Sequence, residues 1–252
     1  DMDKIRLSYS EDSTTEFDPV YAPFHKLDEL LESDMMYFTA HHFVGEYRSN
    51  NKAIPGFNMI VLDIDENTSI ATAQALLSSY TYKLYTTKSH TDDVNRFRMI
   101  LPISHTLKLG TAEYAMYMEN VFEWLPFFCD TGTSDIARKW ATNKDAVIYN
   151  NEALLLDATL FIPQTKKSDQ VKSEITSHTN MTNLENWFIR ETRDGNRSHM
   201  FLKYGLILKD AGYDIATIRS RIDDFNRKIP QPMEDAEISR TIMITIAKRM
   251  GT

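Results

Sequence analysis

Continuous and periodic apolar runs divide the chain into a part with strands and a later part with helices. Residues 57–65 (FNMIVLDID) form an apolar run rich in β-branched residues, which predicts a buried central strand. Residues 70–79 have helical spacing, and residues 82–88 and 96–103 predict two further strands joined by a polar turn. The pattern therefore predicts a strand–helix–strand–strand unit. If its first two strands are parallel neighbours, their ends lie at one edge of the sheet.

Weaker patterns flank this unit. Residues 1–20 read as a loose or edge segment, and residues 25–34 place leucines at helical spacing. Residues 111–125 predict an amphipathic helix. Short closing strands are expected at residues 126–130 and 145–149.

The composition changes again near residue 163. Residues 163–180 are polar and aperiodic, as expected for a linker, and the remaining residues predict four helices. We therefore expect an α/β (α+β) domain at residues 1–162, whose first 20 residues are a leader. A small all-helical domain at residues 181–252 should follow the linker.

Overall composition excludes several classes of protein. The chain has 252 residues, 42% of them hydrophobic and 25% charged, which excludes wholesale disorder. It has neither a run of about 18 apolar residues nor the apolar stretch of a signal peptide, so we expect a cytoplasmic protein without a membrane partner. The lone Cys129 excludes an internal disulfide and a multi-cysteine zinc site.

The net charge of −8 argues against a protein that binds nucleic acid, because such proteins usually carry a basic surface. The acidity is concentrated at one end, however. Residues 1–34 hold ten acidic and three basic residues, whereas residues 181–252 hold ten acidic and twelve basic residues. The objection therefore applies mainly to the N-terminal segment.

Asp63 and Asp65 end the predicted central strand. Side chains alternate on a strand, so both carboxylates face the same side. Two carboxylates so close repel each other and lose hydration, and a divalent cation relieves both effects. Mg²⁺ or Mn²⁺ suits oxygen ligands and leaves room for phosphate oxygens. The alternative is a strand end with two solvated aspartates.

Lys88, Ser89 and His90 follow the next strand. If the two strand ends share an edge, His90 approaches the aspartate pair, and its neutral imidazole is suited to a nucleotide phosphate or a metal. Lys88 and Ser89 are suited to phosphate oxygens. The alternative is a surface histidine in a turn.

A third acidic residue, Asp130, follows the apolar residues at 127–129, and a basic pair, Arg138 and Lys139, lies downstream. A third carboxylate would complete a two-metal site, and the basic pair would neutralise triphosphate charge. Asp135 is the alternative third acid, and Asp130 is favoured because it directly follows the apolar residues. Taken alone, the motif is more typical of a loop acid followed by a solvated basic pair.

The order of these motifs resembles that of the archaeo-eukaryotic primase superfamily. That signature has D-x-D or D-x-E on a strand, then s-x-H, then a third acid after hydrophobic residues. The corresponding segments here are LDID at 62–65, KSH at 88–90 and FCD at 128–130. The YTTKSH…RFRMILP block is similar to that of phage and plasmid-type members, in which an arginine such as Arg138 often follows the third acid.

The C-terminal part resembles the small helical domain that follows such primase cores. The matching positions are Gly195, Asn196, Arg197, Asn226, Pro232 and Glu237. The family's usual Arg-Asn order appears here as Asn196-Arg197. The two resemblances together cover about residues 40–250. They imply an RRM-like catalytic core followed by a helical domain.

The resemblance implies a DNA primase or primase-polymerase that makes primers on single-stranded DNA from nucleoside triphosphates. It implies that Asp63, Asp65 and Asp130 bind two Mg²⁺ or Mn²⁺ ions. It also implies that His90, with Lys88 and Ser89, contacts the incoming nucleotide. Arg138 and Lys139 would add positive charge near the triphosphate. Arg48, Arg96 and Arg98, with Lys52, are candidates for the template backbone.

The chain departs from the family in two respects. The family often has a zinc-binding element, which one cysteine cannot build, and many phage members are fused to a helicase. No G-x-x-x-x-G-K-[ST] loop occurs here, so we expect a helicase that is separate or encoded elsewhere in a fused protein. The choice between ribo- and deoxyribonucleotides stays open.

Two other classes of function remain. One is a phosphatase of the haloacid dehalogenase type, in which Asp63 is the nucleophile and Asp65 the acid and base. The other is a non-catalytic RRM-like module that stacks bases on strand aromatics, for which Tyr82, Tyr85 and Phe97 are candidates. His41 and His42 would face opposite sides of a strand and are read as structural.

Overall fold

The structure is a computed structural model. It describes residues 4–11, 15–65, 68–163, 180–193, 195–210 and 212–251. Packing divides the chain into two compact units. The first consists of the described residues of Asp1–Glu66, Leu77–Glu123 and Phe128–Gln170. The second consists of the described residues of Asn67–Leu76, Trp124–Phe127 and Val171–Thr252.

All strands of the described residues belong to the first unit. They are β1 Lys4–Ser10, β2 Asp18–Pro23, β3 Tyr37–Thr39, β4 His42–Phe43, β5 Ala53–Ile54, β6 Phe57–Asp65, β7 Tyr82–Thr86, β8 Arg96–Leu107, β9 Trp140–Ala141 and β10 Ile148–Asn151.

The strands form two four-stranded sheets and one short pair. One sheet has the order β2-β1-β3-β9, the other has the order β10-β7-β8-β6, and β4 pairs with β5. Neighbouring strands are antiparallel throughout these sheets. Because β6 and β7 both run antiparallel to β8, which lies between them, they run in the same direction. They therefore end at the same edge of the sheet.

The two large sheets pack on a common apolar core. Ile5 and Leu7 of β1 and Phe38 of β3 join Met59 and Val61 of β6 in one buried cluster. Burial of each such side chain stabilises the fold by roughly 1.5–3 kcal/mol relative to exposure. The residues of β6 that alternate with Met59 and Val61 are buried as well. Burial on both faces explains why the sequence of this strand is a continuous apolar run.

Helices and 3₁₀ turns complete the first unit. They are α1 Leu27–Leu31 and α3 Thr111–Trp124, whose last residue is grouped with the second unit, and the 3₁₀ turns Phe24–Lys26, Val44–Glu46, Asn50–Lys52, Thr131–Thr133 and Ala158–Phe161. The α3 helix packs on β6, where the ring of Phe57 lies 4.9 Å from that of Tyr114 and 5.2 Å from that of Tyr117, in edge-to-face geometry.

The second unit is helical. Its elements are α2 Ile70–Leu76, α4 Asn180–Glu191, α5 Arg197–Asp210, α6 Ile215–Lys228, α7 Asp235–Glu237, a π-helical stretch Ile238–Met243 and α8 Ile244–Met250. Its core contains packed aromatic rings, including Phe201 and Phe225, which are tilted relative to each other with centroids 4.6 Å apart.

Several residues of the C-terminal pattern hold this unit together. The Asn226 side chain donates to the Met233 carbonyl (2.9 Å) and accepts from the Met233 N–H (2.7 Å), so it clamps the proline-rich turn. Arg197 donates to the Gln231 carbonyl of the same turn at 2.9 Å. These residues therefore have structural roles within the helical unit.

The predicted fold class is confirmed. The protein is mixed α/β, with antiparallel sheets and a C-terminal helical region. The central strand at residues 57–65 is confirmed at both ends. Apart from Pro163 and Asn180, the predicted linker lies outside the described residues. Within the described ranges, no helix combines the length and apolarity that crossing a membrane requires.

Three expectations about local structure were wrong. The N-terminal segment contains β1, which pairs with β2 on one side and β3 on the other, so it is an inner strand. No strand forms at residues 126–130. The β6 and β7 strands are not neighbours, because β8 inserts between them after the hairpin turn.

His41 is structural, as expected, and is fully buried between β3 and β4. Its ring lies 4.7 Å from the Tyr114 ring in an edge-to-face contact and 5.5 Å from the Phe57 ring. Neither ring nitrogen has a hydrogen-bond partner among the described residues. Burial, together with the charges of Arg6 and His42, lowers the pKa of His41 from 6.5 to about 3.

Acid should therefore destabilise the fold through His41. The pKa of His41 is lower in the folded state than in the unfolded state. Below pH 6.5 the unfolded chain therefore binds more protons than the folded chain, and the fold becomes less stable as the pH is lowered. Between pH 7.5 and pH 5, we expect His41 to account for a loss of about 2 kcal/mol in the free energy of unfolding. Urea unfolding of wild type and His41→Phe at both values measures it. Parallel pH dependence of the two proteins would contradict the assignment.

Candidate functional site

A polar cleft of about 670 Å³ opens at the edge of the sheet where β6 and β7 end. Asp63 and Asp65 of β6 both line it, as expected from the alternation of side chains along a strand. Lys88 and Ser89, just after β7, line the same cleft. The structure therefore brings together two motifs that are more than twenty residues apart in sequence.

The β8 strand supplies two arginines to the cleft. Its antiparallel register places Arg98 opposite Asp63 and Arg96 opposite Asp65. Both arginines line the cleft. The inserted strand thus places positive charge between the aspartates of β6 and the end of β7.

The opposite wall comes from two segments outside the predicted motifs. They are residues 34–37, which lead into β3, and residues 141–145, which begin at the end of β9. Thr142 joins them, since its N–H donates to the Met36 carbonyl (2.9 Å) and its hydroxyl accepts from the Met36 N–H (3.0 Å). The exposed side chains of Asp34 and Lys144 form a loose ion pair of 3.9 Å. These residues carry no recognisable motif, so only the tertiary fold reveals them.

The cleft perturbs the pKa of the Asp63 carboxyl. Its side chain is 17% exposed, and Arg98 Nε donates to its Oδ1 at 3.0 Å. Burial raises the pKa of the Asp63 carboxyl, Arg98 lowers it, and the negative charges of Asp65 and Asp130 raise it, so that the net pKa is raised. Perturbed carboxyl groups in clefts are typical of functional sites.

Arg98 is held by a buried network. Its Nη1 donates to the Tyr85 hydroxyl (3.2 Å) and to the Ala141 carbonyl (3.0 Å), and the Tyr85 hydroxyl donates to the same carbonyl (3.0 Å). The guanidinium also lies 5.3 Å from the Trp140 ring centroid. These contacts orient Arg98 toward Asp63, which is a positioning role; as a candidate for the template backbone it is only 16% exposed.

Asp130 is tied directly to Asp63. Its N–H donates to the Asp63 carbonyl at 2.8 Å, and its Oδ1 caps the following 3₁₀ turn by accepting from the Gly132 N–H at 2.8 Å. Its charge contributes to the raised pKa of Asp63. Burial and these two carboxylates raise the pKa of the adjacent Cys129 thiol to about 12, so that thiol is inert.

The other predicted acid, Asp135, has a different partner. It forms an ion pair of 3.0 Å with Arg138, which also donates to the Gly132 carbonyl and lies 5.9 Å from the Trp140 ring. Lys139 lies over the Tyr37 ring at 4.8 Å. The predicted basic pair therefore contacts protein groups next to the cleft and does not line it.

His90 lies in the turn between β7 and β8. The ring Nδ1 accepts a hydrogen bond from the Arg96 backbone N–H at 3.1 Å, and the backbone N–H of His90 donates to the Thr87 carbonyl at 3.0 Å. An Nδ1 that accepts a hydrogen bond leaves the proton of the neutral ring on Nε2. His90 is therefore fixed as a donor through Nε2, although it is not among the residues lining the cleft.

The remaining candidates lie in other surroundings. Arg48 donates to the Ala137 carbonyl at 2.7 Å and lies 5.5 Å from the Phe17 ring, which gives it a role in holding loops. Lys52 lies 4.2 Å from the Tyr47 ring. The proposed stacking aromatics of an RRM-like module, Tyr82, Tyr85 and Phe97, are all buried and cannot stack on bases.

The donor set of the cleft suits a hard divalent cation, because its acids offer carboxylate oxygens. Asp63 and Asp65 lie on one face of β6, and the backbone N–H of Asp130 is hydrogen-bonded to the Asp63 carbonyl. In the part of the chain that the structure describes, no three acidic, histidine or cysteine side chains converge as a ready set of metal ligands. The two-metal site therefore stays a prediction.

No protein-family model and no curated protein sequence match the chain. Among solved structures, it is similar to the AEP domain of the primase-polymerase (PrimPol) of cyanophage S-2L. The two are 11% identical, and the match covers 65% of this chain and 91% of that one with a TM-score of 0.38. A similarity this low does not support any function. The function proposed below is based on the cleft.

Loss of the Arg98 cation should destabilise the first unit. Arg98→Met leaves the Asp63 carboxylate largely buried without its partner, and we expect a loss of about 3 kcal/mol in the free energy of unfolding. In an Asp63→Asn background the same change should cost only about 1 kcal/mol, because no charge is left unpaired. Urea unfolding at pH 7.5 measures both.

Lys144→Met is the matched control, because it breaks the exposed pair with Asp34. We expect it to change the free energy of unfolding by less than about 1 kcal/mol. Additive losses for the Arg98 and Asp63 substitutions would contradict a coupled pair.

Proposed function

We propose that the chain is a metal-dependent nucleotidyltransferase that makes primers on single-stranded DNA, as a primase or primase-polymerase. The observation that carries this proposal is the shared cleft of Asp63, Asp65, Lys88 and Ser89. Paired carboxylates beside a cationic and a hydroxyl group are what a metal-bound triphosphate needs. The order of the motifs, which resembles that of the archaeo-eukaryotic primases, supports the same conclusion.

In the proposed reaction, the 3′-oxygen of the growing strand bonds to the α-phosphorus of a nucleoside triphosphate. The bond between the α-phosphorus and the bridging oxygen breaks, and pyrophosphate leaves with its electron pair. Mg²⁺ or Mn²⁺ held by Asp63, Asp65 and Asp130 would stabilise the charge on the attacking and leaving oxygens. The proton of the 3′-hydroxyl passes to solvent or to a carboxylate of the cleft.

The chain's own residues supply binding and orientation. Lys88 and Ser89 are proposed to hold phosphate oxygens, and His90 to donate through Nε2 to the same triphosphate. Arg98 positions the Asp63 carboxylate through the 3.0 Å bond from its Nε. Arg96, on the cleft wall, and Arg138 and Lys139, beside the cleft, add positive charge. Catalysis would thus come mainly from positioning and electrostatics.

The partners are proposed on the same basis. They are a single-stranded DNA template, nucleoside triphosphates and a replicative helicase, separate or fused, in the cytoplasm of a host cell. Arg48 and Arg96 remain proposed contacts for the template backbone. Since the chain is acidic, template binding should be weak and sensitive to salt.

Asp63→Asn should abolish primer synthesis. The substitution keeps the shape of the side chain but removes a ligand charge, so we expect a loss greater than the roughly 10- to 100-fold typical of losing an outer partner of a metal ligand. A labelled-nucleotide assay on single-stranded DNA, with Mg²⁺ or Mn²⁺, measures it. Wild type that makes no oligonucleotide with either metal would refute the proposal. Template-independent hydrolysis of p-nitrophenyl phosphate would favour the phosphatase alternative.

Asp130 and Asp135 are distinguished by their partners. Asp130→Asn retains a good capping residue for the 3₁₀ turn, so we expect a stable protein with at least tenfold lower primer synthesis. Asp135→Asn breaks only a partly exposed pair with Arg138 and should lower activity by less than about threefold. The same primer assay, with thermal melts as the control, measures both. The reverse ranking would make Asp135 the third acid.

A further inference from the structure

Met35 lies on the cleft in an unusual backbone conformation. Its φ of 53° is in the left-handed region, which Met35 shares with just one other residue that is not glycine, Glu46 (φ 57°), in the part of the chain that the structure describes. Residues other than glycine, asparagine and aspartate rarely adopt this backbone conformation. The side chain is 75% exposed, so its packing in the core does not account for the strain.

Thr142 keeps Met35 in this conformation. The Thr142 hydroxyl donates to the Ser33 carbonyl at 2.7 Å, on one side of Met35. On the other side, the Met36 N–H donates to that hydroxyl (3.0 Å), and the Thr142 N–H donates to the Met36 carbonyl (2.9 Å). Because the backbone is fixed on both sides of Met35, the fold sets the backbone conformation of Met35. Strain that the surroundings hold in place is typical of ligand-binding sites.

The residues that line the cleft are of two chemical kinds. Asp63, Asp65, Lys88 and Ser89 offer charged and hydroxyl groups, whereas Met35, in the segment of the opposite wall, offers a large and exposed apolar side chain. A nucleoside triphosphate also has two kinds of group, with phosphates at one end and a planar base at the other. The cleft volume of about 670 Å³ is within the range of sites for molecules of this size.

We propose that Met35 is the platform for the base of the bound nucleoside triphosphate. The inference rests on the proposed nucleotidyl transfer and assigns a residue outside the predicted motifs to substrate binding. A thioether makes favourable contacts with aromatic rings and tolerates rings of different size, so it fits a base without selecting one. The fixed backbone lowers the entropic cost of ordering the contact.

The test compares two ligands, dATP and inorganic tripolyphosphate, which lacks base and sugar. Isothermal titration calorimetry with MnCl₂, without template, gives the Kd of each for the full chain. Met35→Asn removes the apolar side chain but keeps a residue that tolerates the left-handed region. We expect its Kd for dATP to rise about three- to tenfold, the size of one sulfur–aromatic contact, and its Kd for tripolyphosphate to stay within twofold.

Two variants serve as controls. Met35→Leu restores an apolar side chain of similar volume and should bind dATP within about twofold of wild type. Glu46→Asn makes the matched backbone change outside the cleft and should change neither Kd by more than twofold. Thermal melts of each variant confirm folding.

Three results would overturn the proposal. They are an unchanged Kd of Met35→Asn for dATP, equal weakening of both ligands, and the same loss in Glu46→Asn. Wild type that binds neither ligand would overturn the proposed nucleotidyl transfer together with this inference. Wild type that binds dATP, with Met35→Asn unaffected, would remove only the role of Met35.

Discussion

The largely buried ion pair between Asp63 and Arg98 is the interaction on which the cleft depends. A carboxylate that is 17% exposed needs a cationic partner, and the antiparallel register of β6 and β8 places one directly opposite. That register also separates β6 from β7 by one strand, so the ends of both open on the same cleft. Through Tyr85 and the Ala141 carbonyl, the pair extends to the opposite wall. One ion pair thus connects β6 and β8 to the opposite wall of the cleft at Ala141.

The pKa of Asp63 in this pair is the result of opposing electrostatic effects. Arg98 stabilises the charged form of Asp63, whereas burial and the charges of Asp65 and Asp130 oppose it, and the opposing effects prevail. An aspartate in this state is strongly attracted to added positive charge, because a cation would relieve both the burial and the repulsion. Arg98 keeps the acid in place meanwhile. The arrangement would suit the metal-binding role proposed for Asp63.

Sequence patterns predict the parts of this fold in which local chemistry and tertiary environment agree. The β6 strand is continuous and apolar because both its faces are buried, so its bounds are predicted correctly. The inner position of β1 is not evident from its sequence, because its buried positions include Ser8 and Ser10 besides Ile5 and Leu7, and its apolar pattern is therefore incomplete. The insertion of β8 and the wall at residues 141–145 depend on long-range pairing, which no local pattern encodes. For the same reason the motifs predict the polar floor of the site but not Met35, whose conformation depends on Thr142.

The two kinds of residue that line the cleft also bear on which class of function is favoured. A phosphatase acting on small phosphate esters would use the Asp63 carboxylate as its nucleophile and would need only the charged part of the cleft lining. The exposed apolar side chain of Met35 would then have no role. A base-binding module without catalysis needs exposed aromatics, whereas Tyr82, Tyr85 and Phe97 are buried. A ligand with both a polyphosphate and a base would use both parts of the lining, and the proposed transfer of its nucleotidyl group is chemistry that paired carboxylates can support.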